Sequence, residues 1–89
     1  MTSGGTPDFW RSYHALSAEW KAAARATYRK FRANPAHPSL HLERLRGDPR
    51  FWSVRVTIDC RAVAQRFEND RWLWVWIGSH KDFDRMFAR

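Results

Sequence analysis

The sequence predicts an α+β fold: N-terminal helices packed on a small antiparallel meander sheet of three to four strands, followed by a short C-terminal helix. Apolar residues first recur at three- and four-residue steps, over Ser17–Ala33. Further on, over Phe51–Ile77, they alternate in short runs separated by turn residues. A helix start signal then follows Gly78. At 89 residues and 10.6 kDa the chain has room for one core, not two.

Met1–Thr6 is small and polar and reads as a loose tail, which leaves 7–89 as a single domain. Pro7–Leu16 is aromatic (Phe9, Trp10, Tyr13) and fits either a short helix or an edge strand. In the next segment Leu16, Trp20, Ala23, Ala24, Thr27, Tyr28 and Phe31 share one helix face, with Ser17 as N-cap and Asn34-Pro35 as the stop. Lys21, Arg25, Arg29 and Arg32 form a second face, either a solvated surface or an electrostatic handle for RNA or an acidic peptide. Leu40–Arg46 reads as a first strand and Gly47-Asp48-Pro49 as a turn. Phe51–Ile58 alternates Trp52, Val54, Val56 and Ile58 against Phe51, Ser53, Arg55 and Thr57. A turn at Asp59-Cys60 leads to a strand over Arg61–Phe67, and a turn at Asn69-Asp70 to another over Arg71–Ile77. That last strand sets Trp72, Trp74 and Trp76 against Leu73, Val75 and Ile77. The tryptophans then either cover a core or stack bases. Ser79 with Asp82 opens the final helix, whose apolar face is Phe83, Met86 and Phe87.

Sixteen Lys and Arg against nine Asp and Glu give a net charge of +7, which points to a polyanion or an acidic protein as partner. One cysteine, Cys60, excludes a disulfide framework. No glycine-rich phosphate loop is present, which excludes P-loop nucleotide hydrolysis. No run approaches the ~18–20 apolar residues of a membrane span, and the N-terminus lacks a secretory pattern. The expectation is a soluble cytoplasmic protein. His37 and His41 have a metal spacing only on a helix, which Pro38 opposes; in a strand they would lie about 13 Å apart. Neither a metal nor a cofactor is expected. Arg55 and Arg61 flank a hairpin and could grip a phosphate, or be surface arginines paired with Glu43 or Glu68. His80, in the first turn of the last helix, is a candidate acid or base, with Lys81 beside it as a phosphate ligand.

Three segments in order carry a resemblance: Asn34-Pro35-Ala36-His37-Pro38-Ser39-Leu40; Trp52-Ser53-Val54-Arg55 followed by Arg61-Ala62-Val63; and Trp76-Ile77-Gly78-Ser79-His80-Lys81-Asp82-Phe83-Asp84-Arg85. Together they resemble the RelE/ParE superfamily of toxins from bacterial type II toxin–antitoxin modules, over about Phe9–Phe87. The resemblance implies helices packed on one face of a small antiparallel sheet and, in ribosome-dependent members, metal-independent cleavage of mRNA in the ribosomal A site. By position it implies that Arg55 and Arg61 stabilise charge and that His80 acts as acid or base. It also makes Arg44 and Lys81 RNA ligands. The basic face of Lys21, Arg25 and Arg29 would meet RNA or an acidic antitoxin. The partners implied are a cognate antitoxin and mRNA on the ribosome. Alternatives from the same superfamily are a ParE-like inhibitor that binds DNA gyrase, and a non-catalytic RNA-binding member. Phe83 stands where several relatives carry a C-terminal Tyr. Pro38 and Ser39 stand where some carry a Glu. One proton-transfer role is thereby left open, with His37 and His41 as candidates for it.

Overall fold

The computed structural model describes residues 1–87. Its order is strand β1 (Thr2–Gly5), helix α1 (Pro7–His14), helix α2 (Ala18–Ala33), strands β2 (Glu43–Arg44), β3 (Phe51–Thr57), β4 (Cys60–Phe67) and β5 (Arg71–Ser79), and helix α3 (His80–Met86). The α+β class is as expected, but the sheet has five strands, in the order β1-β5-β4-β3-β2. The fifth comes from the segment expected as a loose tail: Thr2–Gly5 runs parallel to β5, pairing Thr2 with Arg71 through Gly5 with Trp74. Its four residues carry no apolar pattern; what holds them is a non-local ladder that Trp74 extends by accepting from the Thr6 amide (3.0 Å).

The aromatic segment after Thr6 is a helix. Thr6 Oγ1 accepts from the Phe9 amide at 3.1 Å, and Pro7 occupies the first turn, where its missing N–H is not needed. In α2, Ser17 Oγ accepts from the Trp20 amide at 3.1 Å, and Asn34 ends the helix in an extended conformation ahead of Pro35. Phe31, fully buried, meets Trp72 and Trp74 edge-on at 5.0 and 5.2 Å. Phe9, Val54, Ala62, Ala64 and Ile77 complete this core between α1, α2 and the sheet.

The expected strand over Leu40–Arg46 shrinks to Glu43–Arg44. Pro38–Leu40 is instead a 3₁₀ turn, capped by His37 Nδ1, which accepts from the Ser39 amide at 3.1 Å. His41 follows in the left-handed region (φ 46°), while Leu40 is buried. The β3–β4 turn is Ile58-Asp59, so Cys60 starts β4 in the core and Ile58 lies exposed at the tip. Asn69 and Asp70 both take positive φ (61° and 56°), which these two residues tolerate, and this closes the β4–β5 hairpin.

The tryptophan stripe of β5 is split. Val63 pairs with Trp76 and Ala64 with Trp74, so Val75 is an extra residue, a β-bulge that shifts the alternation by one. Trp72, Trp74 and Ile77 therefore enter the core beneath α1 and α2. Trp76 turns to the other face and packs against Phe83 and Phe87 (6.2 and 5.4 Å). Gly78 makes room for this: a Cβ there would lie 2.7 Å from the Trp76 ring. The helices are thus not all on one face, as the resemblance implied. α3, capped by Ser79 Oγ (3.0 Å to the Asp82 amide), closes part of the opposite face. Among the described residues no helix is long and apolar enough to cross a membrane.

Candidate active site

A cleft of about 420 Å³ opens on the α3 side of the sheet, between β2, β3, β4 and the start of α3. Strand periodicity supplies its floor. Ser53 and Arg55 on β3, and Arg61 on β4, alternate with the core residues Val54 and Ala62 and so point away from them. The register sets Arg55 directly opposite Arg61. Like charges in facing positions destabilise a sheet. Among the described residues no carboxylate forms an ion pair with either one, and the Arg55 Nε is buried without a hydrogen-bond partner. Arg61 is tied down from one side only: its Nη1 donates to the carbonyls of Thr57 (2.8 Å), Cys60 (3.1 Å) and Ile58 (3.3 Å), lacing the β3–β4 turn. Burial, followed by the neighbouring Arg55 charge, holds the Arg61 guanidinium below its usual value; Asp84 and Glu43 pull the other way. It remains a cation at neutral pH.

His80 stands at the mouth. Its backbone amide donates to Asp59 O at 2.7 Å, which pins the start of α3 to the β3–β4 turn. Its Nε2 lies 3.2 Å from Asp84 Oδ2, one helical turn on, and its Nδ1 is buried without a partner. The ring stacks on Phe83 (6.3 Å, 24°). Phe83 is itself buried, so the side chain at this position serves packing.

Arg55, Arg61 and His80, the residues expected to do chemistry, line one cleft. Arg44 reaches its rim, but its guanidinium lies over Trp52 (5.0 Å) on the other side of β2. Lys81 is exposed on the first turn of α3 and does not line the cleft. Lys21, Arg25 and Arg29 sit on α2, across the sheet. There Arg25 and Arg29 border a separate apolar groove of about 470 Å³ formed with Trp10, Tyr13 and Tyr28, and Arg25 Nη1 donates to Tyr13 Oη at 2.9 Å. Of the other histidines, His41 lines the cleft, whereas His37 is used as a cap.

Two residues join the site that sequence reasoning did not place there. Glu43 pairs with Ser53, on the Arg55 face, and supplies the cleft with a carboxylate. Its direction follows from a two-residue strand whose register only the fold sets. Asp84 was legible from its four-residue spacing to His80 on a helix.

No family model and no curated protein matches the sequence. The fold, however, is that of known toxins. The YoeB/ParE toxin from Agrobacterium tumefaciens superposes with a TM-score of 0.71 at 22% identity, covering 90% of this chain and 99% of that one. In the toxin–antitoxin complex RelBE2 from Mycobacterium tuberculosis the values are 0.72 and 16%, with 89% and 96% covered. The RelB–RelE antitoxin–toxin complex from Methanococcus jannaschii gives 0.72 at 8% identity, covering 92% and 96%. The chain is thus similar over almost its whole length to RelE- and YoeB/ParE-type toxins.

Proposed function

We propose that this protein is the toxin of a toxin–antitoxin module of the RelE/ParE superfamily and cleaves mRNA on the ribosome. The observation that carries the reading is the facing pair Arg55 and Arg61 on the floor of a cleft with His80 and Glu43 at its walls. Two unneutralised guanidiniums in facing positions cost stability unless an anion sits between them. A phosphodiester fits that requirement. The substrate's 2′-hydroxyl attacks the adjacent phosphorus, a 2′-O–P bond forms and the P–O5′ bond breaks, leaving a cyclic phosphate and a 5′-hydroxyl. The charge that builds on the phosphoryl oxygens is met by Arg55 and Arg61. Glu43 and His80 are the proton carriers, one taking the 2′-hydroxyl proton and the other delivering a proton to O5′. Nε2, which lies 3.2 Å from Asp84 Oδ2, is the His80 nitrogen that exchanges the proton, because Nδ1 is buried. Glu43 fills the role left open by Phe83, with His41 as the second candidate at the cleft wall.

The same reading supplies the partners. A cognate antitoxin keeps the toxin silent, the +7 charge suits an acidic partner, and Arg25 and Arg29 beside the apolar groove, with Lys21 on the same helix, offer it a surface. The place of action is the cytoplasm, where ribosomes are.

The test is end-mapping of an mRNA in a purified translation reaction. Cuts at A-site codons with the wild-type protein, and their loss in folded Arg61→Ala, His80→Ala and Glu43→Gln variants, are expected. Intact mRNA with a folded wild-type protein would overturn the nuclease reading. Altered plasmid supercoiling with purified gyrase would then establish contact inhibition, and RNA binding without either activity a non-catalytic member.

A further inference from the structure

Trp52 on β3 and Trp72 on β5 lie on the core side of the sheet, and over them lie two arginines that the chemistry of the cleft does not use. The Arg44 guanidinium carbon is 5.0 Å from the Trp52 ring centre. That of Arg66 is 5.7 Å from Trp52 and 5.1 Å from Trp72. The two indoles meet edge-on at 6.2 Å, and Trp72 is buried and held by a hydrogen bond from Nε1 to Asp70 Oδ1 (3.1 Å). The ladder explains the interleaving: Arg44 faces Trp52 across β2–β3, Arg66 faces Trp72 across β4–β5, and Ala64 opposite Trp52 leaves room between them.

The arginines are exposed, and among the described residues neither side chain has a hydrogen-bond or ion-pair partner. The nearby acids are largely committed: Asp48 takes Arg50 through two hydrogen bonds (3.0 and 2.7 Å), and Asp70 takes Trp72. A guanidinium lying over an indole keeps its full charge and all five N–H donors, while its stem is already ordered. That is a preformed grip for phosphate rather than a neutralised pair. The patch is continuous with the cleft. Glu43 and Arg44 are consecutive on the outermost strand and face opposite sides, and Arg44 itself reaches the cleft rim. A strand leaving the cleft over the β2 edge meets Arg44 first and Arg66 next.

We infer that Arg44 and Arg66, set by Trp52 and Trp72, form an exosite that holds backbone phosphates of the same RNA strand whose scissile bond lies in the cleft. The inference rests on RNA being the substrate. Its occupant is the substrate strand, because the patch continues the cleft around an edge only two residues long and carries positive charge without carboxylate partners.

The experiment uses a fluorescein-labelled single-stranded RNA of twenty nucleotides and follows anisotropy against salt. Arg44→Met/Arg66→Met keeps apolar cover on both indoles and removes the charges. Arg44→Lys/Arg66→Lys keeps the charges. Arg11→Met/Lys30→Met removes two exposed charges elsewhere. The Met pair is expected to weaken binding about tenfold or more and to flatten the salt slope by roughly 1.4, about 0.7 for each single-strand phosphate no longer neutralised. Melting temperature stays near wild type, the Lys pair recovers most of the slope, and the Arg11/Lys30 control keeps it. The inference is overturned by unchanged affinity and slope in the Met pair. It is equally overturned if that pair loses binding only to whole ribosomes or only to an acidic antitoxin peptide, or if wild type does not bind the RNA. The same slope changes in a protein that cuts no mRNA would sink the nuclease reading and, with it, the assignment of the substrate strand as occupant, leaving Arg44 and Arg66 as a site for uncut RNA.

Discussion

The two faces of the sheet solve opposite problems with neighbouring residues. On the helix side, Phe31, Trp72, Trp74, Val54 and Ile77 exclude water; Trp72 Nε1 donates to Asp70, while Trp74 Nε1 is buried without a partner but carries no charge. On the α3 side, one residue along each strand, Arg55 and Arg61 face each other with a buried unpartnered Nε between them and no carboxylate clamp among the described residues. Burying apolar area stabilises the fold at roughly 25 cal/mol per Å². Opposed cations do the reverse, by about 0.2–1 kcal/mol. A fold that keeps the second arrangement beside the first is spending stability on a site. The difference teaches where to look for function: at the positions where the alternation is right but the electrostatics are wrong.

The largest effect belongs to the helix face. Phe31→Ala removes a fully buried ring wedged between Trp72 and Trp74, and about 3–5 kcal/mol of stability goes with it. Chemical denaturation measures it. A loss below about 1 kcal/mol would mean that the core closes around the gap and that the contrast between the faces is overstated.

The sharpest test lies across the sheet. Arg55→Met should lower mRNA cleavage on the order of 10²–10³-fold, the scale for losing one stabiliser of developing charge. It should leave the melting temperature unchanged or raised, because the facing cation is relieved and the orphaned Nε is gone. Arg61→Met should lose cleavage similarly but also lose stability, since Nη1 laces three carbonyls of the β3–β4 turn. If both variants destabilise equally, Arg55 is a structural residue. Between the faces lies Gly78, where Ala would press a methyl group against the Trp76 ring and cost about 1–3 kcal/mol through displacement of the indole. A wild-type melting curve for that variant would show that Trp76 is loosely held.

Much of this architecture was legible, and for local reasons. Ser17, Asn34-Pro35, Asn69-Asp70 and Ser79 act within a few residues of themselves, so the caps and the tight turn could be read directly. Arg55, Arg61 and His80 were legible as candidates because strand alternation and a helix start fix where they point. What stayed hidden is set by partners far along the chain. Thr2–Gly5 becomes a strand only because β5 presents a free edge. The bulge at Val75 shows only in the β4–β5 register, and it sends Trp76 away from Trp72 and Trp74. Which of Glu43 and Arg44 faces the cleft stayed hidden for the same reason. In a strand of two residues, pairing with Ser53 and Trp52 decides which one sees the cleft.

The smallest effect comes from the residue pair where the two faces meet. Cys60 and Arg61 are consecutive at the start of β4, one in the core and one in the cleft. Burial pushes both toward their neutral forms: it raises the Cys60 thiol from 9.0 to about 11 and depresses the Arg61 guanidinium. For the thiol this is a linkage to stability. Its folded value lies above its unfolded one, so the contribution is complete below about pH 9 and is lost as pH rises through about 11. Near pH 10 the loss should be about 1.4 kcal/mol, one pH unit's worth for a single proton. Urea denaturation of wild type and Cys60→Ala across this range isolates it, because tyrosine and lysine titrate in both. The two stability curves should converge as pH rises from about 9 to 11. Arg61→Met, which removes the nearby charge that favours thiolate, should leave the onset near pH 9 and extend the convergence to higher pH. Parallel curves, or a native thiol that thiol reagents titrate at once near neutral pH, would place Cys60 outside the dry core and weaken the division between the two faces at the strand where it is drawn most finely.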